Sequence, residues 1–369
     1  MAELTKEEAL HCAKVFEDYF GNFHRIDEYM RDQKLASLSE LPTNPLFPIE
    51  EDLFSDFSMH PNDMDLEVLE INPETWEMLL SITSSHINIQ PVGKNIKLAV
   101  REKNTGKYVG FIRFGSPVIN CKPRNDFLGQ VFTQQPEWSK RFNDSALMGF
   151  VIVPAQPFGY NYLGGKLLAA ICCSHTVREI INKKYGTNVC LFETTSLFGS
   201  SKQSSQYDGM KPYLRYKGLT DSDFLPMMHG KPYEDLKNYV EERIGQIVDE
   251  DISSRKLKIS MKIIALVRAA LKGEPELEKF NQVIDKAKDL TEQKRYYVST
   301  YGFKNAIDYI NCKTDTLIKG DDYDKFELHN IIEWWRDKAI KRYETLYEEN
   351  RLRTELEVWT SGKYIDIMR

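Results

Sequence analysis

One continuous block between Met148 and Thr220 constrains this chain more than any other: strand, glycine-rich turn, helix, strand, then a polar loop. The apolar run Gly149-Phe150-Val151-Ile152-Val153-Pro154 is closed by a proline and reads as a buried strand. The turn runs from Ala155 through Gln156, Gly159, Asn161, Gly164 and Gly165 to Lys166, and opens a helix predicted over 161–184. A second strand follows at Asn188-Val189-Cys190-Leu191-Phe192-Glu193-Thr194-Thr195-Ser196. A strand that feeds a helix through glycines leaves backbone N–H groups free at the helix N-terminus, where they can hold phosphate. The same glycines also serve close packing of helix on strand, so either role fits the residues.

Elsewhere the pattern is of mixed type. Ala9, Ala13, Phe16 and Phe20 make an apolar stripe behind Thr5-Lys6-Glu7-Glu8, a helix start. Residues 36–65 carry prolines, serines and aspartates and read as a loop. A strand at Leu66–Ile71 and a helix at Pro73–Ile82 follow. Residues 95–101 and 107–115 alternate about the turn Glu102-Lys103-Asn104-Thr105-Gly106, a hairpin. Residues 116–147 are polar and mixed, and from about Pro232 the pattern is helical with no clear strand. The expectation is an α+β protein in three parts: an acidic region over 1–65, a mixed-sheet domain over 66–225 and a helical region over 226–369.

Charge is unevenly spread. Residues 1–90 hold 19 Asp/Glu against 5 Lys/Arg, leaving 36 against 44 in the remainder of a chain whose net charge is −6. An acidic front with a basic remainder is compatible with nucleic-acid contact without requiring it. Cys12, Cys121, Cys172, Cys173, Cys190 and Cys312 form no pair or Cys/His spacing of zinc-site type, so no metal is expected, and buried thiols suit a reducing cytoplasm. No signal-like N-terminus and no apolar run near the ~18 residues of a membrane span is present, so no membrane is expected.

The order of elements, with its glycine turn between a central strand and a helix, resembles the GNAT-type N-acetyltransferase fold. That family holds the pyrophosphate of acetyl-CoA with Q/R-x-x-G-x-G/A. Here Gln156 and Gly159 supply the first positions, and Asn161 stands where the motif has a small residue. A closer resemblance is to the GNAT-like group containing phage Mom-type DNA-modification proteins and the DruA-type proteins of the Druantia anti-phage system. It rests on Val153-Pro154, Asn161-Tyr162-Leu163-Gly164, Tyr185-Gly186, Leu191-Phe192-Glu193-Thr194, Gly199, Tyr207 and Gly218-Leu219-Thr220, and covers roughly residues 95–220. The resemblance implies a mixed central sheet with flanking helices, an acyl-CoA (acetyl-CoA) donor held by Gln156, Gly159, Asn161, Gly164, Gly165 and Lys166, and DNA as partner.

Within that frame Glu193 is the candidate base, because a desolvated carboxylate has a raised pKa and can take a proton. The alternative is a carboxylate that fixes the following loop. The polar loop 199–211 contains Lys202, Lys211 and the candidates Tyr207, placed where GNAT-like enzymes often have their acid, and Asp208. Arg255, Lys256, Lys258 and Lys262 sit on a basic amphipathic helix, and Lys294 and Arg295 begin a basic-aromatic run with Tyr296, Tyr297, Tyr301 and Lys304. Basic helices can lie along a phosphate backbone, and aromatic rings can stack on bases. His175 reads as a structural histidine. The helix around Trp334, Trp335, Ala339, Tyr343 and Leu346 reads as one for packing or homo-oligomerisation.

Three functions fit. The first is a cytoplasmic GNAT-like transferase placing an acyl- or carbamoylmethyl-type group on a DNA base amino group, in a phage or mobile-element setting. The second is a non-catalytic DNA-binding or assembly subunit of a phage or defence system, favoured by Asn161 in the glycine motif. The third is an N-acyltransferase acting on a small amine or a protein.

Overall fold

The computed structural model describes residues 3–21, 34, 49–85, 93–118, 120–131, 136–196, 205–220, 228, 230–249, 255–291 and 294–359. Most of the region 1–65 beyond its first helix, and Lys202, lie outside them. In chain order the elements are α1 (Lys6–Phe20), β1 (Leu66–Leu69), α2 (Pro73–Thr83), β2 (Asn95–Glu102), β3 (Lys107–Gly115), α3 (Lys122–Leu128) and α4 (Pro136–Ser145). Next come β4 (Ala146–Pro154), α5 (Phe158–Asn161), α6 (Gly164–Ile171), α7 (His175–Tyr185), β5 (Leu191–Ser196) and β6 (Arg215–Leu219). The chain ends with α8 (Gly230–Ile244), α9 (Arg255–Ala270), α10 (Pro275–Thr291), β7 (Arg295–Ser299), α11 (Ala306–Ile310) and α12 (Leu328–Glu348). Two units are formed: Met1–Tyr29 with Asp221–Gln293, and Met30–Thr220 with Lys294–Arg369.

The first unit is helical. Thr5 caps α1 in a reciprocal box with Glu8, which satisfies two otherwise orphaned N–H groups. The stripe Ala9, Cys12, Ala13, Phe16 and Phe20 is buried against α8, α9 and α10, with Phe16 edge-on to Phe280 at 5.6 Å.

The second unit is an α+β structure on a seven-stranded sheet of order β1-β2-β3-β4-β5-β7-β6. Neighbours are antiparallel except β4 and β5, which run parallel. A parallel pair needs a crossover connection, and α5, α6 and α7 supply it. The β2–β3 hairpin forms where expected. The buried Glu102 carboxylate locks its turn, accepting from the Thr105 N–H at 2.7 Å, the Thr105 hydroxyl at 2.8 Å and the Asn104 N–H at 3.1 Å. Beneath the sheet, Trp76 of α2 donates its indole N–H to the Leu98 carbonyl at 2.9 Å. On α12 the residues Ile331, Trp335, Ala339 and Leu346 are buried, and Trp335 donates to the Tyr162 carbonyl at 2.7 Å. The apolar face of α12 is therefore used within the chain.

The structure departs from the sequence reading in two places. The helix predicted over 161–184 is broken into α6 and α7, with Asn161 ending the short α5. Leu163 takes a left-handed conformation (φ 55°) between α5 and α6, and the Ser174 hydroxyl caps a fresh start at α7. The continuous apolar periodicity crosses both interruptions, which is why it read as one helix. The region after Pro232 is not all helical: residues 295–299 form β7, inserted between β5 and β6. Tyr296, Tyr297 and Tyr301 are then core residues, each no more than 1% exposed, and cannot stack on bases. The insertion 116–147 contains α3 and α4, where Pro123 sits in the first turn of α3.

Candidate functional site

Glu193 lies in the middle of β5 and is fully buried. Its Oε1 accepts from Arg124 Nη1 of α3 at 3.0 Å, and its Oε2 accepts from the Tyr296 hydroxyl at 2.6 Å. The same Arg124 nitrogen donates to the Val118 carbonyl, and the guanidinium stacks over Phe142 at 4.7 Å. Burial pushes the Glu193 carboxyl upward, and the Arg124 charge with the two hydrogen bonds pulls it back. An ion pair sealed on all sides has no open path for a proton to a substrate.

Strand side chains alternate between faces, so Glu193 and Thr194 leave β5 on opposite sides. Thr194 is paired with Tyr297, whose hydroxyl donates to Asp208 Oδ1 at 2.8 Å. Arg295 Nη2 reaches the same carboxylate oxygen at 3.0 Å, and its Nε donates to the Tyr297 hydroxyl at 2.9 Å. Tyr207 is buried with its ring edge-on to Tyr297 at 5.5 Å. Burial raises the Tyr207 phenol well above the ordinary tyrosine value, so it holds its proton firmly. Tyr207 and Asp208 are thus brought together with Arg295, while Glu193 faces the other side of the sheet. The three candidate catalytic residues do not form one constellation.

Around the glycine turn the side chains of Asn161, Gln156 and Lys166 are engaged by the chain itself. The Asn161 side chain donates to the Arg353 carbonyl at 2.8 Å and accepts from the Arg353 N–H at 3.2 Å. Gln156 Oε1 accepts the Tyr160 N–H, and the Gln156 carbonyl accepts the Glu357 N–H at 2.9 Å. Lys166 Nζ donates to the carbonyls of Gln206 at 2.9 Å and Asp208 at 2.6 Å, and burial lowers its pKa. The glycines mark close packing. A Cβ on Gly164 would meet Pro154 at 2.9 Å and Phe158 at 2.8 Å. On Gly159 it would meet Pro154 at 2.8 Å and crowd Gln156, and on Gly165 it would fall on the Gln206 side chain.

The basic candidates divide by exposure. On α9, Lys258 and Lys262 are exposed, whereas Arg255 and Lys256 are half-buried, Lys256 lying 4.3 Å over the Tyr233 ring. Lys211 is exposed. Arg295 belongs to the Asp208 cluster, and burial lowers the pKa of Lys294. Lys202 lies outside the described residues. Sequence reasoning missed Arg124, since nothing marks a lone arginine in a polar stretch as a buried partner. Among the described residues no group of acidic, histidine or cysteine side chains could hold a metal ion, and no helix is long and apolar enough to cross a membrane.

The part of the chain from β1 through β5 also has a counterpart among known proteins. Residues 48–203 match the family described as Druantia protein DruA. The Druantia protein DruA of Escherichia coli (strain UMEA 4076-1) is 25% identical over 235 residues, which cover 58% of this chain and 52% of that protein. The chain spans about half the length of this curated relative. No solved structure matches. Both matches agree with the DruA side of the resemblance, and neither is to an N-acetyltransferase or a Mom-type protein. The family match ends at residue 203, so β6 and β7 lie beyond it.

Proposed function

We propose that this chain is a DNA-binding subunit of an anti-phage defence assembly of the Druantia kind, holding DNA without itself transferring a group to it. The observation that carries this reading is the engagement of the donor-site groups by the chain's own backbone. Asn161, Gln156 and Lys166 hold residues 353, 357 and 206–208 in place of a phosphate. The enclosure of Glu193 by Arg124 and Tyr296 points the same way. In support of DNA contact, Lys258 and Lys262 are exposed one turn apart on α9, and among the described residues neither has a carboxylate partner.

A transferase keeps one observation in its favour: the parallel pair β4–β5 is joined through a glycine turn, where the open ends of such strands commonly hold ligands. On that reading an acyl-CoA donor would sit near Gln156–Lys166 and displace residues 353–357. One experiment separates the two. The purified protein is tested for retention of duplex and single-stranded DNA at low salt, and DNA from cells making it is digested and its nucleosides weighed by mass spectrometry. DNA retention without a new nucleoside mass supports the binding subunit. A new mass would replace it with the transferase, and no retention of either DNA form would overturn DNA as the partner.

A further inference from the structure

β6 is an outer strand of the sheet, and beside it lies a cleft of about 360 Å³. Arg215 is paired on β6, and Lys217 stands at a bulge between Tyr216 and Gly218. Both line the cleft, together with Lys304 from the segment after β7. Among the described residues none of these three cations is within ion-pair distance of a carboxylate. Asp321 and Asp322 also line the cleft, and Asp322 is taken by Lys325 at 2.7 Å. Three cations and two carboxylates thus line the cleft, with Asp322 in electrostatic reach of Arg215, and the lining is net positive.

Its interior is of another chemistry. The half-buried ring of Phe127 lies beneath Lys217 Nζ at 4.3 Å, and Val298 and Ile307 also line the cleft. One wall is held firm: Gly302 has φ +78°, its carbonyl accepts the Gly320 N–H at 2.9 Å, and a Cβ there would meet Tyr323 Cα at 2.6 Å. The volume is at the small end of the roughly 300–1,000 Å³ usual for small-ligand sites, and larger than a bare oxyanion requires.

We propose that this cleft binds a nucleoside phosphate, with the phosphate between Arg215, Lys217 and Lys304, and the base taking the place over Phe127 that Lys217 Nζ holds in the free protein. Guanidinium and ammonium groups supply charge-assisted hydrogen bonds to phosphate oxygens, and an aromatic ring supplies a stacking platform tolerant of base identity. The Asp321 carboxylate is placed to accept from a sugar hydroxyl or an exocyclic amine. The phosphate is either that of a free nucleotide or that at the end of a DNA strand. This site is in the sheet unit and the α9 lysines are in the helical unit, so each stands on its own measurement.

The test is isothermal titration of the full-length protein with dAMP, 2′-deoxyadenosine and inorganic phosphate. One saturable dAMP site is expected, with the other two weaker by about tenfold or more. The Arg215→Ala/Lys217→Ala double variant, altered only at exposed side chains, is expected to lose dAMP affinity by about tenfold or more, and Lys304→Ala by less. Equal binding of deoxyadenosine, equal binding of inorganic phosphate, or unchanged dAMP affinity in the double variant would each overturn the assignment. Competition against bound dAMP then identifies the source. Displacement by a 5′-phosphorylated dodecanucleotide but not its 5′-hydroxyl form assigns a strand end, and displacement by neither assigns a free nucleotide. Equal displacement by both would replace the proposal with a plain backbone-phosphate contact. Loss of dAMP binding with DNA retention intact would remove this inference alone.

Discussion

Arg124 Nη1 lies 3.0 Å from Glu193 Oε1, and neither side chain is more than 1% exposed. The pair ties α3 to the centre of the sheet, and Tyr296 of β7 completes it from the neighbouring strand. A buried ion pair is a poor source of net stability, because desolvating both charges costs several kcal/mol. Breaking it from one side is a different matter. The surviving charge has no water to replace its partner.

Glu193→Ala is accordingly expected to destabilise the protein by about 3–5 kcal/mol. Replacing both partners, as in Arg124→Met/Glu193→Leu, should recover most of that loss. Denaturant unfolding of the three proteins decides the matter. If the single variant unfolds at the wild-type midpoint, the pair is not structural and Glu193 returns as a candidate base.

His175 gives a pH dependence. It is buried, its Nε2 lies 2.9 Å from the Tyr323 carbonyl, and burial lowers its pKa below the ordinary imidazole value. The folded protein then binds fewer protons than the unfolded chain between the lowered pKa and about 6.5. The contribution is complete above about 6.5 and is lost as pH falls through the window beneath it. Unfolding free energy should fall from pH 7 toward pH 5 in the wild type, and less steeply in His175→Gln. Equal slopes in the two proteins would show that His175 titrates normally.

The glycines at the start of α6 separate packing from ligand binding. Gly164→Ala places a methyl group against Pro154, Phe158 and the Gly159 Cα, and is expected to cost about 1–3 kcal/mol. Gly165→Ala meets only the end of the Gln206 side chain, which can rotate away, so the cost should be under about 1 kcal/mol. Thermal unfolding of both variants measures this. A phosphate cradle would instead make the two changes similar in ligand binding and leave Gly164→Ala folded as the wild type.

Much of the sheet was legible because its strands alternate and its turns carry their own chemistry. The β2–β3 hairpin, α2 with Pro73 in its first turn, and β4 closing at Pro154 follow from local signals. β7 was not legible: Arg-Tyr-Tyr-Val-Ser presents charge and aromatic rings, and only pairing with Thr194 and Thr195 across the sheet makes it a core strand. The expected site fared similarly. Glycine spacing located the turn between β4 and α6, but a glycine needed for packing and one needed for phosphate look alike in sequence. What distinguishes them here is Asn161 holding Arg353, a contact 192 residues away.

The exposed lysines of α9 supply the last prediction. Each lysine that neutralises a phosphate releases condensed counterions, and the slope of log affinity against log salt changes by about 0.9 per contact on duplex DNA. Lys258→Ala/Lys262→Ala should therefore weaken DNA binding at low salt and reduce that slope by about 2. Because both side chains point to solvent, the unfolding midpoint should not move. Filter binding from about 50 to 200 mM salt gives the slope directly. An unchanged slope with an unchanged midpoint would remove α9 from the DNA-contacting surface and leave the reading to Lys211 and the remaining basic residues.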